Sequence, residues 1–399
     1  MREMKDSGVA SIGTIPTDWS IRKFKTLAKL CNGREVCAEG GDVPVYGSGG
    51  VFKWTNKPLH TGESLLMGRK GTIDNPMLVN GSFWTVDTMF YTSEFFDVVG
   101  KFLYYCCKCV INYGYYKSDS VLPSMTQTEI NNVFIPYTIT AEQHLIVNVL
   151  DRKCAQVDTL ISNIQAQIEK LKAYKQGLIT EIVTKGLDST VPMKDSGIEW
   201  VGEIPTHWEI KRGKVLFEES DARSTDGSEE LLTVSQYTGI TPRSQKNVNM
   251  FEALTLEGYK ICDVSDIAAN TMWLWAGAIG VSAYSGVISP SYNVYRQKAE
   301  NFVPGYLDCL LRAPMLVQEY ASRSTGIRAS RLRLYPKDFL NIMFPVPPFG
   351  EQQEIMRVLS DKFAAVDKLI AIKESKIEKL EQYKKSLIYE YVTGKREVM

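Results

Sequence analysis

The feature that most constrains this chain is that it repeats itself twice over. Residues 4–21, MKDSGVASIGTIPTDWSI, recur as residues 193–210, MKDSGIEWVGEIPTHWEI, with more than half of the positions identical. Residues 142–184 recur as residues 351–393 without a gap, again with about half of the positions identical. Self-similarity at a fixed offset marks a tandem architecture. The two offsets, 189 and 209 residues, are unequal, so the stretch between the paired segments is longer in the second half. Residues 30–130 and 215–335 show no convincing similarity to each other. A frame has been kept through the duplication and the middle has diverged.

The longer repeat has the period of a helix. Val157, Ile161, Ile164, Ile168, Leu171, Leu178 and Ile182 follow a four-three spacing broken only at Lys175, and Val366, Ile370, Ile377, Leu380 and Leu387 answer it in the second copy. Charged residues fill the other positions. So narrow an apolar stripe cannot be buried by one helix alone, so each helix requires a partner. The simplest pairing sets the two copies antiparallel, related by a pseudo-twofold axis. Such a helix of about forty residues would span roughly 60 Å, the length of a spacer. Before each copy a proline-bearing run, VFIPYT or IMFPVPPFG, ends a strand and separates the globular part from the helix.

The divergent stretches read as mixed α/β modules. Short β-like runs bounded by Gly, Asn and Pro dominate them, including VPVYGSGG, SLLMGRKGTIDN, LLTVSQYTGITP and GVISPSYNVYR, with helical patterns over 102–111 and 305–319. The expected fold class is α+β: two mixed modules alternating with two long helices in an antiparallel coiled coil. The expected boundaries are 1–140 and 187–349 for the modules, and 141–186 and 350–399 for the helices. Hydrophobic residues at 44% and charged residues at 23% fit a folded domain and exclude a disordered one. No apolar run approaches the ~20 residues of a membrane helix, and the first residues lack a signal peptide's apolar core, so a cytoplasmic protein with no membrane partner is expected. The eight cysteines hold one cluster, Cys106, Cys107 and Cys109, whose single CxxC has no second pair or nearby His and reads as a buried helix face.

Two related modules held a fixed distance apart suit the reading of two DNA half-sites, and divergence between them suits half-sites of different sequence. Forty-six basic and forty-six acidic residues cancel, so any nucleic-acid surface must be local. In the second half, ASRSTGIRASRLRLYPK (321–337) carries Arg323, Arg328, Arg331, Arg333 and Lys337 with no acid among them. Small residues between them let a backbone approach phosphates, and Arg reads guanine edges bidentately. Arg243 closes the run VSQYTGITPR. The first half offers Tyr116 and Lys117 at the corresponding place, and Lys53, Lys57, Arg69 and Lys70 on glycine-rich loops. The bland reading of each single charge is a solvated loop residue.

The order of these pieces resembles the specificity subunit of type I restriction-modification enzymes over nearly the whole chain. The IPxxW segments after a helix ending in EIVTKG, and the EQ-initiated helices, carry that resemblance. Supporting it are GSGG (47–50), MGRKGTID (67–74) and FWTVDTMFY (83–91) in one module, and NTMWLWAGAIGVS (270–282) and SPSYNVYR (289–296) in the other. The resemblance implies two target-recognition domains alternating with two conserved helical regions, and a non-catalytic subunit that binds double-stranded DNA. It also implies two methyltransferase subunits and restriction/motor subunits as partners. They would use S-adenosylmethionine to methylate adenine N6, and ATP with Mg²⁺ to cleave.

The residues themselves give little to catalyse with. VPPF (346–349) approaches the [DN]PP[FY] loop of amino-methyltransferases, but Val346 stands where that loop needs an amide or carboxylate. GSGGVF is not GxGxxG, no phosphate-binding GxxxxGK[ST] occurs, and His60, His144 and His207 lie in unrelated contexts. No catalytic, cofactor-binding or metal-ligating residue is therefore expected in this chain. The competing expectation is a coiled-coil scaffold whose two modules bind protein or another ligand.

Overall fold

A computed structural model describes residues 2–36, 40–116, 122–246, 255–326 and 332–398. The chain divides into two compact units, Met1–Gln165 with Lys373–Met399, and Ala166–Ile372. Each unit takes the start of one long helix and the end of the other. The helices run Thr140–Lys185 and Phe349–Val392, without a break, and beyond each stands a glycine at positive φ, Gly186 (+77°) and Gly394 (+69°). That backbone conformation costs glycine little and other residues more, so both ends are sequence-encoded stops.

The two units are built alike. In the first, Met4–Asp6 pairs with Thr14–Pro16, and Ser20–Lys23 pairs with Phe134–Tyr137, the strand that leads into the first long helix. In the second, Met193–Asp195 pairs with Glu203–Pro205, and Glu209–Arg212 pairs with Met343–Val346, which leads into the second. Pro136 and Pro345 cost no ladder bond because these ribbons are two-stranded and leave an outer edge.

The diverged middles share a topology that their sequences conceal. In the first unit a four-stranded antiparallel sheet runs in the order Ala28–Asn32, Met89–Phe95, Ser64–Gly68, Met77–Val79. The second repeats that order with Phe217–Ser220, Asn293–Gln297, Ile267–Ala269, Ile279–Val281. The additions differ. The first unit carries a second four-stranded sheet, containing the hairpin Val43–Gly47/Gly50–Thr55; the second carries two separate ribbons, Leu232–Ser235/Gly239–Pro242 and Lys260–Cys262/Gly286–Ile288.

One helix, Gly100–Cys109, buries Phe102, Leu103, Cys106 and Cys107 against Leu65, Met67 and Phe90 of the first sheet. Burial pushes the Cys106 and Cys107 thiols up, so they behave as small apolar groups in this core. The pattern expected as one helix over 305–319 is two, Pro304–Leu311 and Pro314–Arg323. Pro314 cannot donate to the preceding turn and starts a new helix instead.

The start of each long helix locks its module. Trp19 is buried and its indole N–H donates to Glu142 at 3.0 Å; Trp208 donates to Glu351 at the same distance. The neighbouring glutamines are fully buried. Gln143 accepts the backbone N–H of Val99 at 2.8 Å, and Gln352 that of Val303 at 2.9 Å. Val99 and Val303 are the residues immediately before the module helices Gly100–Cys109 and Pro304–Leu311. An amide side chain thus satisfies a backbone donor that a helix start would leave orphaned. The charged surroundings have diverged: Arg2 bridges Asp18 and Glu142 in the first unit, while His207, at the position of Asp18, meets Glu351 directly at 2.8 Å in the second.

The helices pair antiparallel in both units. Asp158 meets Lys384 at 2.6 Å, and Lys175 meets Asp367 at 2.8 Å. Asp158 and Asp367 are the same repeat position, as are Lys175 and Lys384, so one contact is made twice with the helices exchanging roles. Lys175 also lies 4.6 Å from the centre of the Phe363 ring. The gap in the apolar stripe is therefore a cation placed on the facing helix.

Two expected outcomes follow from these contacts. Reversing Asp158 to Lys or Lys384 to Asp should each lower stability, and the double reversal should restore it, with a coupling of about 0.5 kcal/mol in urea unfolding for such partly exposed ions. Burial alone would raise the Glu142 carboxyl, but hydrogen bonds from Arg2, Thr138 and Trp19, with the charge of Arg2, hold it below its ordinary 4.5. A lowered folded pKa adds stability that is present above the unfolded value and is lost as pH falls through the folded one. Glu142→Gln should therefore cost about 1 kcal/mol at pH 7, and the deficit should fade below about pH 4 in a pH series of unfolding midpoints.

Candidate nucleic-acid interface

In the first unit the fold brings three segments together. The turn at Ser48 and Gly49 joins the hairpin strands Val43–Gly47 and Gly50–Thr55. A Cβ on Gly71 would sit 3.2 Å from the Ser48 Oγ, so the loop carrying Arg69 and Lys70 runs against that turn. The same loop is tied to a third segment: Gly71 N–H donates to the Pro123 carbonyl at 2.9 Å, Met125 N–H to the Arg69 carbonyl at 2.9 Å, and Lys70 forms a bridge with Ser124. Lys53 is exposed on the outer hairpin strand, beside this junction in sequence. Arg69 is exposed, with its guanidinium 3.4 Å from the Asp87 carbonyl. Lys57 lies past the far end of the hairpin strand, away from the turn. Tyr116 ends a 3-10 turn (Tyr113–Tyr116) and is half-buried, with its phenol pushed up by burial. Lys117 lies outside the described residues.

In the second unit Thr325 and Arg333, both in the basic stretch, exchange backbone hydrogen bonds of 3.0 Å. Arg328 and Arg331 lie outside the described residues. Arg323 ends the helix Pro314–Arg323 and donates to Glu319 at 2.5 Å, so its charge is met within its own helix. Arg243 begins a 3-10 turn directly after the ribbon strand Gly239–Pro242, on a separate segment.

Large apolar side chains left in solvent were a signal the charge reading overlooked. Val51, Phe52 and Trp54 are about half exposed on the outer hairpin strand, and Tyr115 is 82% exposed. In the second unit Tyr237 is 81% exposed at the tip of its ribbon, held there by Arg312, which donates to the Tyr237 carbonyl at 2.8 Å. Trp273 is also exposed and stacks on Trp275, whose indole N–H is fixed to the Met272 carbonyl. The trace in the sequence was VFKWT, where apolar residues fail to alternate as a half-buried strand would.

The helix-pairing candidates divide by burial. Val157, Ile164, Ile168, Leu178, Val366 and Leu387 are buried, and Ile161, Leu171, Ile370, Ile377 and Leu380 are half-buried. Among the described residues no group of three His, Cys, Asp or Glu side chains is arranged to hold a metal, and no helix is long and apolar enough to cross a membrane.

With this geometry in view, residues 16–170 match the family described as Type I restriction modification DNA specificity domain. That stretch is similar to the family and covers under half of the chain. The match runs from the first IPxxW segment through the first module into the long helix. The second module has the same sheet order as the first but falls outside the match. Two curated relatives come from Methanocaldococcus jannaschii. One, provisionally named the type I restriction enzyme MjaX specificity subunit, is 27% identical over 68% of this chain and 61% of its own length. The other, the type I restriction enzyme MjaVIII specificity subunit, is 24% identical over 69% of this chain and 64% of its own length. The matched stretch thus spans about three fifths of these relatives. A chain solved in a study of complex assembly and conformational transition of the type I R-M system aligns over 96% of this chain and 99% of its own, with a TM-score of 0.66 at 13% identity. That likeness is one of fold.

The buried and half-buried halves of the stripe give different expectations. Ile168→Asp should lower stability by about 3 kcal/mol, because it leaves an unpaired charge in a covered position. Ile377→Asp, at the same repeat position but half-buried, should cost less. Urea unfolding of the two variants checks the order.

Proposed function

We propose that this chain is the DNA-recognition subunit of a type I restriction-modification complex. It binds a bipartite, asymmetric target, one half-site per recognition domain, and assembles methyltransferase and restriction subunits around its helices. The observation that carries this reading is the duplication of one specificity-domain framework with different loops on each copy. A repeated frame gives two binding modules, and divergent exposed loops give each its own sequence preference. The recognition domains are taken as 1–140 and 187–349, joined by the helical regions 141–186 and 350–399.

In this reading the chain is not itself catalytic. Base flipping, methyl transfer from S-adenosylmethionine, and ATP- and Mg²⁺-dependent cleavage belong to two methyltransferase subunits and to the restriction/motor subunits, in the cytoplasm where genomic DNA is found. This chain supplies position and discrimination. Arg and Lys side chains on its loops fix phosphates, and the side chains reaching base edges set the sequence.

Exchanging residues 210–335 for the same region of a relative should alter one half of the methylated target only. The other half and the intervening gap should persist, since mismatch costs at separated positions are nearly additive. Methylated-base sequencing of cells carrying the hybrid decides it. A target changed in both halves, or a gap of new length, defeats the modular assignment.

A further inference from the structure

Resting on that reading, we propose that the hairpin Val43–Gly47/Gly50–Thr55 is the reading head of the first unit. It enters the major groove of its half-site and sets Phe52 and Trp54 against base edges, with one of them on a thymine methyl group.

The argument begins with an edge that soluble proteins avoid. Gly50–Thr55 is the outermost strand of its sheet, and among the described residues its free side receives one backbone bond, from Gly40 N–H to the Trp54 carbonyl at 3.0 Å. Val51, Phe52, Lys53 and Trp54 are all exposed in succession. An edge strand carrying three exposed large apolar side chains is an aggregation hazard unless something covers them.

The shape and charge of this hairpin indicate what does. Its tip, Gly47-Ser48-Gly49-Gly50, bears a single small side chain, so the end of the ribbon is as narrow as a backbone allows. The major groove of B-DNA admits a two-stranded ribbon of that width. Residues 43–57 contain Lys53 and Lys57 and no acid, and residues 67–73, whose loop lies against the tip, contain Arg69 and Lys70 and no acid. Asp42 and Asp74 bound these segments, and Asp87 lies behind Arg69. Lys53 on the apolar edge strand, with Arg69 and Lys70 on the loop against its tip, matches a polyanion whose groove walls are phosphates and whose floor offers apolar methyl groups.

The ribbon is also stiff enough to carry information. Val43–Gly47 lies between the outer strand and Ser82–Thr85, which it meets in parallel register. Behind it, Tyr46 packs edge-on to Phe83, and Phe83 to Tyr91, with His60 between them. The register shifts between Val45 and Tyr46, so that Phe52 sits at the irregularity with its ring over Gly47. A bulge of this kind re-aims a side chain on a held strand.

The test uses the full chain assembled with its methyltransferase partner and a duplex bearing the target found by methylated-base sequencing. Phe52→Ala and Trp54→Ala should each weaken binding roughly ten-fold or more and relax specificity in one half-site only. Replacing the thymines of that half one at a time with deoxyuridine removes only the methyl group. One replacement should weaken the native complex several-fold and leave the Phe52→Ala or the Trp54→Ala complex unaffected. Both side chains are exposed, so thermal unfolding should match the native chain, and Phe52→Leu should retain most of the binding.

Several results would overturn the inference: native affinity and specificity in both alanine variants, equal loss across both half-sites, or loss of partner assembly in place of DNA discrimination, which would make the edge a protein-docking strand. If the unaltered complex itself shows no preference for any duplex, the recognition function fails instead. Preference kept by the unaltered complex and by both variants removes this inference alone.

Discussion

The architecture depends on one constraint: an apolar stripe too narrow to bury itself. Each long helix presents Ile, Leu and Val along a single seam and charge elsewhere, so neither is stable in water without the other. Pairing the start of one helix with the end of the other solves this within each unit. The solution is fixed by charge as well as by apolar surface. Asp158–Lys384 and Lys175–Asp367 are a single contact used twice, which only the antiparallel arrangement of duplicated helices permits. Individually such partly exposed ion pairs contribute little, but a charge out of register would be set against apolar neighbours, so they select among alignments.

The modules share a hydrophobic core with the long helices, and a few polar residues fix the joint between them. A buried tryptophan from the IPxxW segment and a Glu-Gln pair at the start of the helix provide the link in both units. The glutamate accepts an indole N–H that would otherwise be buried and unsatisfied. The glutamine accepts the backbone N–H that precedes the module helix, and its amide N–H donates to carbonyls of the adjoining loops. Because the buried indole and amide groups of this joint have partners, little freedom remains for substitution. That is a physical reason for these short segments to stay alike while the rest of each module changes.

Beyond the joint the modules obey a different rule. The central sheets keep one strand order while the loops and ribbons on them differ in length, composition and exposed surface. The first unit exposes Phe52 and Trp54 on either side of Lys53, and Tyr115; the second exposes Tyr237 and Trp273 and carries a denser run of arginine. Rigid sheets with variable, solvent-facing loops suit a recognition protein, since a change in a loop alters what is read without disturbing the core.

The sequence by itself determined the duplication, the two helices, their need for each other and the proline-bearing strands before them. All of these rest on local period and on identity between copies, which need no three-dimensional information. The break at Lys175 was visible but uninterpretable, because its explanation, Asp367 and Phe363, lies on the other helix. The common sheet order was invisible, since strand pairing is set by packing across long separations, and side chains that alternate between two faces can change without altering it. Likewise the charge pattern pointed to Arg69 and Lys70, but only the tertiary structure brought their loop against the turn of the hairpin and left Phe52 and Trp54 in solvent. Composition reports which side chains are apolar, whereas the sheet's edge decides which of them remain uncovered.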